Sequence, residues 1–200
     1  MGSRKKVKKI YREPAIICVC GMAGSGKSTV AKRIAEECKL KYFSGGDALM
    51  ALAIEEGFKP LERGWWESKE GLSFLQKRGK EPQFDKAVDK KLLETAERGN
   101  VVLDSWTMPW LLKKGFNVWL EASVEERARR IAGRDKIGYR EALEALKSKE
   151  NQTKAIYRKM YGFKLGDDLE PFNFILDTEY LSASQVFQIL RLVIESIVFK

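Results

Sequence analysis

The segment Gly21-Met22-Ala23-Gly24-Ser25-Gly26-Lys27-Ser28 constrains this chain more than any other. It satisfies G-x-x-x-x-G-K-[ST] at every fixed position. An apolar run from Ala15 to Cys20 precedes it like a buried strand, and a helix-compatible stretch from Thr29 to Cys38 follows. That order is what a phosphate-binding loop requires. The glycines let the backbone fold around a polyphosphate with its N–H groups pointing inward. Lys27 is expected to reach the terminal phosphates, and the Ser28 hydroxyl is suited to Mg²⁺. The new helix adds its positive end to the anion site. A strand before and a helix after separate this motif from a glycine-rich turn that matches by chance.

Two hundred residues suit a single domain with a sizeable core. With 32% charged and 44% hydrophobic residues, the composition is that of a globular chain rather than a disordered one. Histidine is absent. That excludes Ser-His-Asp and Cys-His nucleophilic schemes and any His-ligated metal. Chemistry must come from lysine, arginine, carboxylates, backbone dipoles and a bound ion. Cys18, Cys20 and Cys38 form no CxxC pair, so buried reduced thiols and a cytoplasmic protein are expected. No leader with a cleavage site is read, and no apolar stretch is long enough to span a bilayer. The net charge is +9, of which residues 1–13 carry +5 through six basic residues against Glu13. Such a tail can touch RNA, but a solvated terminus is the commoner outcome.

Strands are expected at 41–44, 101–104, 117–120 and 174–177. Helices are expected from Asp47 as cap to Glu56, over 84–98, over 123–134 with a Ser123/Glu126 capping box, over 139–161 and over 182–198. Residues 61–82, with Trp65 and Trp66, give no clear period. The alternation of strands and helices predicts a parallel sheet with helices on both faces, and sites at the carboxyl ends of the strands. The phosphate loop, Gly45-Gly46-Asp47 and Asp104 all fall at such ends.

Asp104 closes the strand Val101–Asp104 and is placed to hold Mg²⁺ beside Ser28. The alternative is a carboxylate capping the turn at Ser105. Arg127, Arg130 and Arg134 share a helical face. A transferring phosphoryl group would neutralise them; so would Glu121, Glu125, Glu126 and Asp135 nearby. Lys147, Lys149, Lys154, Arg158 and Lys159 make the following helix basic. They form either a solvated face or part of a closing lid that excludes water.

The linear set of segments resembles the archaeal-type cytidylate kinases of the nucleoside monophosphate kinase family, over roughly residues 15 to 195. GMAGSGKSTVAKRIAEE matches the loop and first helix, and KYFSGGDAL the approach to the acceptor site. FDKAVDKKL matches an Asp-x-x-x-Asp helix, GNVVLDS the second anchor strand, RARRIAGRD the lid arginines, and AIYRKMYGFKLGDDLEPFNFILDT the closing segment. The resemblance implies a three-layer α/β/α fold with a five-stranded parallel sheet. It implies one kinase domain over 14–200, with an acceptor-binding insertion at about 45–99 and a helical lid at about 127–165. It implies ATP and Mg²⁺, with CMP or dCMP as acceptor, and a monomer is expected. Gly21, Met22, Ala23, Gly24, Ser25, Gly26, Lys27, Ser28, Thr29 and Arg127 would bind ATP. Ser44, Gly45, Gly46, Asp47 and Asp104 would border the acceptor. Lys27, Arg130 and Arg134 would be catalytic, and Ser28 and Asp104 would hold the ion.

The chain departs from the family pattern at several points. Met50 stands where the family has an arginine facing the acceptor phosphate, and Ser105-Trp106 stand where it has Gly-Arg. Lys149-Glu150-Asn151-Gln152 replace Arg-Glu-x-Ser, and Ile156 replaces an arginine. Arg63, Lys69, Lys90 or Arg158 could compensate. Trp65 and Trp66 could stack on a base, though packing is the commoner use of such a pair. Two other readings stay open: a kinase for a different small acceptor, with Asp47 or Asp104 as base, and an ATP-dependent RNA- or ribosome-binding switch using the basic tail.

Overall fold

The computed structural model describes residues 14–59 and 64–199. The basic tail at 1–13, Arg63 and the start of the 61–82 stretch lie outside the described residues. Five strands form one all-parallel sheet in the order β2-β3-β1-β4-β5. They are β1 (Ile16–Gly21), β2 (Lys41–Ser44), β3 (Val101–Asp104), β4 (Phe116–Glu121) and β5 (Phe174–Asp177). The helices are α1 (Lys27–Cys38), α2 (Gly45–Glu55), α3 (Lys69–Lys80), α4 (Gln83–Glu97), α5 (Met108–Leu111), α6 (Val124–Asp135), α7 (Tyr139–Tyr161) and α8 (Ala183–Ile197).

The central strand β1 is buried along its whole length, which is why it reads as an unbroken apolar run rather than an alternating one. Its side chains still alternate between two cores. Ile17 and Val19 pack with Val30 and Ile34 of α1 and Leu190 and Ile194 of α8. Ile16 and Cys18 pack on the other face with Phe74, Val88 and Leu92 of α3 and α4. Two cores on two faces make the three-layer arrangement. Cys18, Cys20 and Cys38 are buried and free, and burial pushes the Cys18 thiol up to about 12. No helix among the described residues is long and apolar enough to cross a membrane.

Register brings the candidate site together. Asp104 lies opposite both Ser44 of β2 and Val19 of β1, so three strand ends share one edge of the sheet.

Three local expectations change. Asp47 does not cap α2. Ser44 leaves β2 with extended backbone, and its Oγ accepts the Asp47 N–H at 3.0 Å, so the helix begins three residues earlier, at Gly45. Asp47 becomes a first-turn acid that complements the helix dipole. The capping box at Ser123 is half formed. Ser123 Oγ accepts the Glu126 N–H at 3.2 Å, but Glu179 accepts both the Ser123 N–H and its hydroxyl at 2.7 Å. Glu126 turns instead to Arg129 and Arg130. Finally, 69–80 is a helix, capped by Ser68, whose Oγ accepts the Gly71 N–H at 3.1 Å. Its buried stripe is Gly71, Phe74, Leu75 and Arg78. A glycine and an arginine in an apolar stripe hide the period. Gly71 is small because a side chain there would run into the Trp65 carbonyl.

Candidate active site

The loop between β1 and α1 is shaped by close approach and by positive φ. A Cβ on Gly24 would lie 2.7 Å from the carbonyl oxygen of Arg127. Gly26 has open space around it but adopts φ 89°, a conformation that side chains strain to reach. From Lys27 onward the chain is helical, so the first turn of α1 presents its N–H groups to the loop.

Two cavities meet at this loop. The first, of about 450 Å³, extends over the carboxyl ends of β2 and β3 towards α2, α3 and α4. The second, of about 470 Å³, lies between the loop, α6 and the start of α8, lined by Thr29, Arg130, Ile131 and Ser182 among others. Gly24, Lys27, Ser28 and Arg134 line both. A group held in one cavity therefore faces a group held in the other across Lys27 and Arg134.

Trp106 forms part of the wall between β3 and the loop. Its Nε1–H donates to the Gly21 carbonyl at 2.6 Å, and the Lys27 Nζ sits 5.3 Å from the centre of its ring. Tyr157 meets the indole edge to face at 6.3 Å. Asp104 is buried at 4% exposure and accepts a hydrogen bond from the Tyr42 hydroxyl at 3.1 Å. Burial, and then the Asp104 charge, push the Tyr42 phenol upward, so it stays a donor. Ser28, Ser44, Gly45, Gly46, Asp47 and Asp104 all line the first cavity. Its oxygens are hard donors. No cluster of three acidic or thiol ligands exists among the described residues, so a cation here would complete its shell with water or phosphate oxygens.

The arginine row separates into three jobs. Arg134 lines both cavities and is held by Asp135 through two bonds of 2.7 and 2.6 Å. Arg130 lines the second cavity and is fixed by Glu126 at 3.0 Å and by the Thr178 hydroxyl and carbonyl at 3.1 and 2.6 Å. Arg127 corrects the expectation of a contact with ATP. It is buried and lines neither cavity. Its donors go to the Ala122 carbonyl, the Ala23 carbonyl and Glu150. Its burial between α6, α7 and the loop leads to backbone and carboxylate partners rather than to a ligand.

The far wall of the first cavity carries groups that periodicity alone did not single out. Arg78 and Asp85 form a buried bidentate pair at 2.6 and 3.1 Å, with Tyr157 beside them. Burial opposes the Arg78 charge, but Tyr157 and Asp85 outweigh it and raise its pKa. Asp89 accepts from the Thr107 and Tyr161 hydroxyls, and burial, only partly offset by these bonds, pushes its carboxyl up. These are the two acids of the Asp-x-x-x-Asp segment. Asp85 and Asp89 sit four apart beside the apolar stripe Phe84, Val88 and Leu92, not opposite it. Lys149 is buried in this wall, 5.3 Å from the ring of Trp66. Lys69, Lys90 and Arg158 are exposed and do not line the cavity. Trp65 is a core residue whose indole N–H donates to the Lys59 carbonyl at 2.9 Å, while its neighbour Trp66 is only partly buried.

Comparison with known proteins points one way. The model of the cytidylate kinase-like family matches residues 16–180. A cytidylate kinase of Ignicoccus hospitalis is 36% identical over 178 residues, covering 88% of this chain and 96% of that protein. One from Pyrobaculum islandicum is 34% identical over 176 residues, covering 87% and 89%. Among solved structures, a shikimate kinase from Bacteroides thetaiotaomicron superposes with a TM-score of 0.58 at 17% identity, over 92% of this chain and 99% of that one, a likeness of fold.

Proposed function

We propose, from the premise that this chain belongs to the cytidylate kinase-like family, that it transfers the γ-phosphoryl group of ATP to CMP or dCMP. The chain is a phosphotransferase, a nucleoside monophosphate kinase by family. The observation that carries the finer reading is the pair of cavities sharing Lys27, Ser28 and Arg134. A donor in the second and an acceptor in the first would meet in line across these residues.

Catalysis then rests on alignment and charge. The acceptor phosphate is already an anion, so no histidine base is required. The backbone N–H groups of Gly24 to Ser28 would cradle the donor phosphates. Lys27 would follow the charge of the transferring group, and Arg134 would oppose it from α6. Ser44, Gly45, Gly46 and Asp47 would border the acceptor. The oxygens of Ser28 and Asp104 fit an Mg²⁺ accompanying ATP, which would neutralise phosphate charge when bound. Trp106 and Tyr157 would keep water from the junction. In this reading residues 45–99 are the acceptor region and 127–165 the lid, with Arg127 their scaffold rather than a ligand.

The test is incubation of the protein with ATP, Mg²⁺ and a panel of ribo- and deoxynucleoside monophosphates, with products resolved by chromatography. CDP or dCDP as the fastest product is expected. Failure to phosphorylate any monophosphate would sink the reading. A product from an unphosphorylated acceptor instead would favour a kinase for another small molecule, with Asp47 or Asp104 as base.

A further inference from the structure

An acceptor that carries a phosphate needs a cation beside it, and the position where the family pattern sets an arginine holds Met50, which lines the first cavity without charge. The cations lining that cavity are Lys27, Lys32, Arg78, Arg134 and Lys149. Arg78 is closed by Asp85 through two hydrogen bonds, and Arg134, which lines both cavities, belongs to the junction where the transferring group would lie. Lys149 is buried against Trp66. Lys27 belongs to the donor loop. Lys32 remains. It is exposed, it lines the cavity, and it has no carboxylate partner among the described residues.

Its position is set from two directions. Lys32 lies four residues after Ser28, one turn along the same face of α1. Its Nζ rests 5.4 Å from the centre of the Tyr42 ring. That ring is itself anchored by the hydroxyl donated to Asp104. Two residues beyond Tyr42, Ser44 caps α2, and Gly45 and Gly46 of its first turn line the same cavity. The Lys32 ammonium, the positive end of α2 and Lys27 therefore border one space. A cation over a ring face is held more weakly than one hydrogen-bonded to phosphate, so an arriving phosphate draws the ammonium off Tyr42.

We propose that Lys32 is the acceptor-phosphate cation of this chain, filling from α1 the role that an arginine at position 50 would fill from α2. The inference rests on the kinase reading and names the group recognised: the phosphate monoester of the acceptor, not its base. It makes Lys32 a binding residue whose contribution is separable from that of Lys27.

The test compares the full chain with Lys32→Met, Lys32→Arg and the double variant Lys32→Met/Met50→Arg. Binding of CMP, cytidine and ATP is followed by tryptophan fluorescence, which needs no turnover, because Trp65, Trp66 and Trp106 line the cavity. Lys32→Met should weaken CMP about tenfold and leave cytidine and ATP within about twofold, the loss of one charge-assisted contact. Lys32→Arg should bind CMP like wild type, and adding Met50→Arg should recover the affinity lost in Lys32→Met. CMP binding unchanged in Lys32→Met overturns the inference. So does an equal loss of CMP, cytidine and ATP, which marks a general defect. If wild type binds CMP through Lys32 but phosphorylates no monophosphate, the kinase reading fails and the phosphate site stands. A wild type that binds none of CMP, UMP and AMP overturns both.

Discussion

Arg127 Nη1 donates to the carbonyl of Ala23, 3.0 Å away and 104 residues earlier in the chain, while the same guanidinium is ion-paired with Glu150 of α7. The glycine-rich loop is thus tied from behind to both α6 and α7 by one buried cation. Replacing Arg127 by methionine leaves Glu150 buried without its charge partner. The expected result is a loss of roughly 3 kcal/mol in urea unfolding, with Glu150→Gln milder because the amide still accepts. An Arg127→Met protein of wild-type stability would remove the scaffold role.

Lys27 is one of two cations, with Arg134, that line both cavities. Lys27→Ala should lower kcat by roughly 10³-fold, the scale of one preorganised electrostatic contact in a transition state. Acceptor binding, read in the absence of ATP, should change little. Steady-state and equilibrium measurements together check this, and an effect confined to acceptor affinity would contradict it.

Trp106 acts through two features that substitutions separate: the N–H bonded to Gly21 and the ring beneath Lys27. Trp106→Phe keeps a ring face, and Trp106→Ala keeps neither feature. The alanine variant should lose roughly fivefold in kcat/KM for ATP, and the phenylalanine variant less than half of that effect on a logarithmic scale. Equal losses in both would assign the effect to the hydrogen bond alone.

Asp89 binds its proton more tightly in the folded chain than an ordinary aspartate, because burial raises its pKa. Between the unfolded and the folded pKa the native state therefore holds more protons than the unfolded one. Its stabilising share is complete below the usual carboxylate range and is lost as pH rises through the folded value. Asp89→Asn cannot titrate. Thermal melts of both proteins from about pH 4 to pH 7 should show wild type losing ground relative to Asp89→Asn as pH increases. Parallel curves would mean that Asp89 does not carry the raised pKa.

Much of the fold was legible because it is written locally. Apolar runs marked all five strands, and β2, β3, β5 and α7 begin and end as expected. Punctuation was harder. Ser44 rather than Asp47 caps α2 because the sequence offers two acceptors and only the backbone leaving β2 chooses between them. Helix α3 escaped notice because its inward stripe includes Gly71 and Arg78, whose fitness depends on Trp65 and Asp85 across a contact.

The sequence by itself determined the loop after β1: a glycine-rich turn between a buried strand and a helix, with Lys27 and Ser28 at its end, needs only neighbours in the chain to take its shape. Tertiary structure alone decided which charges face the cavities. Arg127 turns away because Glu150 waits 23 residues on, and Arg78 turns in because Asp85 and Tyr157 enclose it. Lys32 stays open to the cavity with an aromatic ring as its support. A charge enters or leaves a site according to what solvates or pairs it, and those partners come from distant segments that only folding brings together.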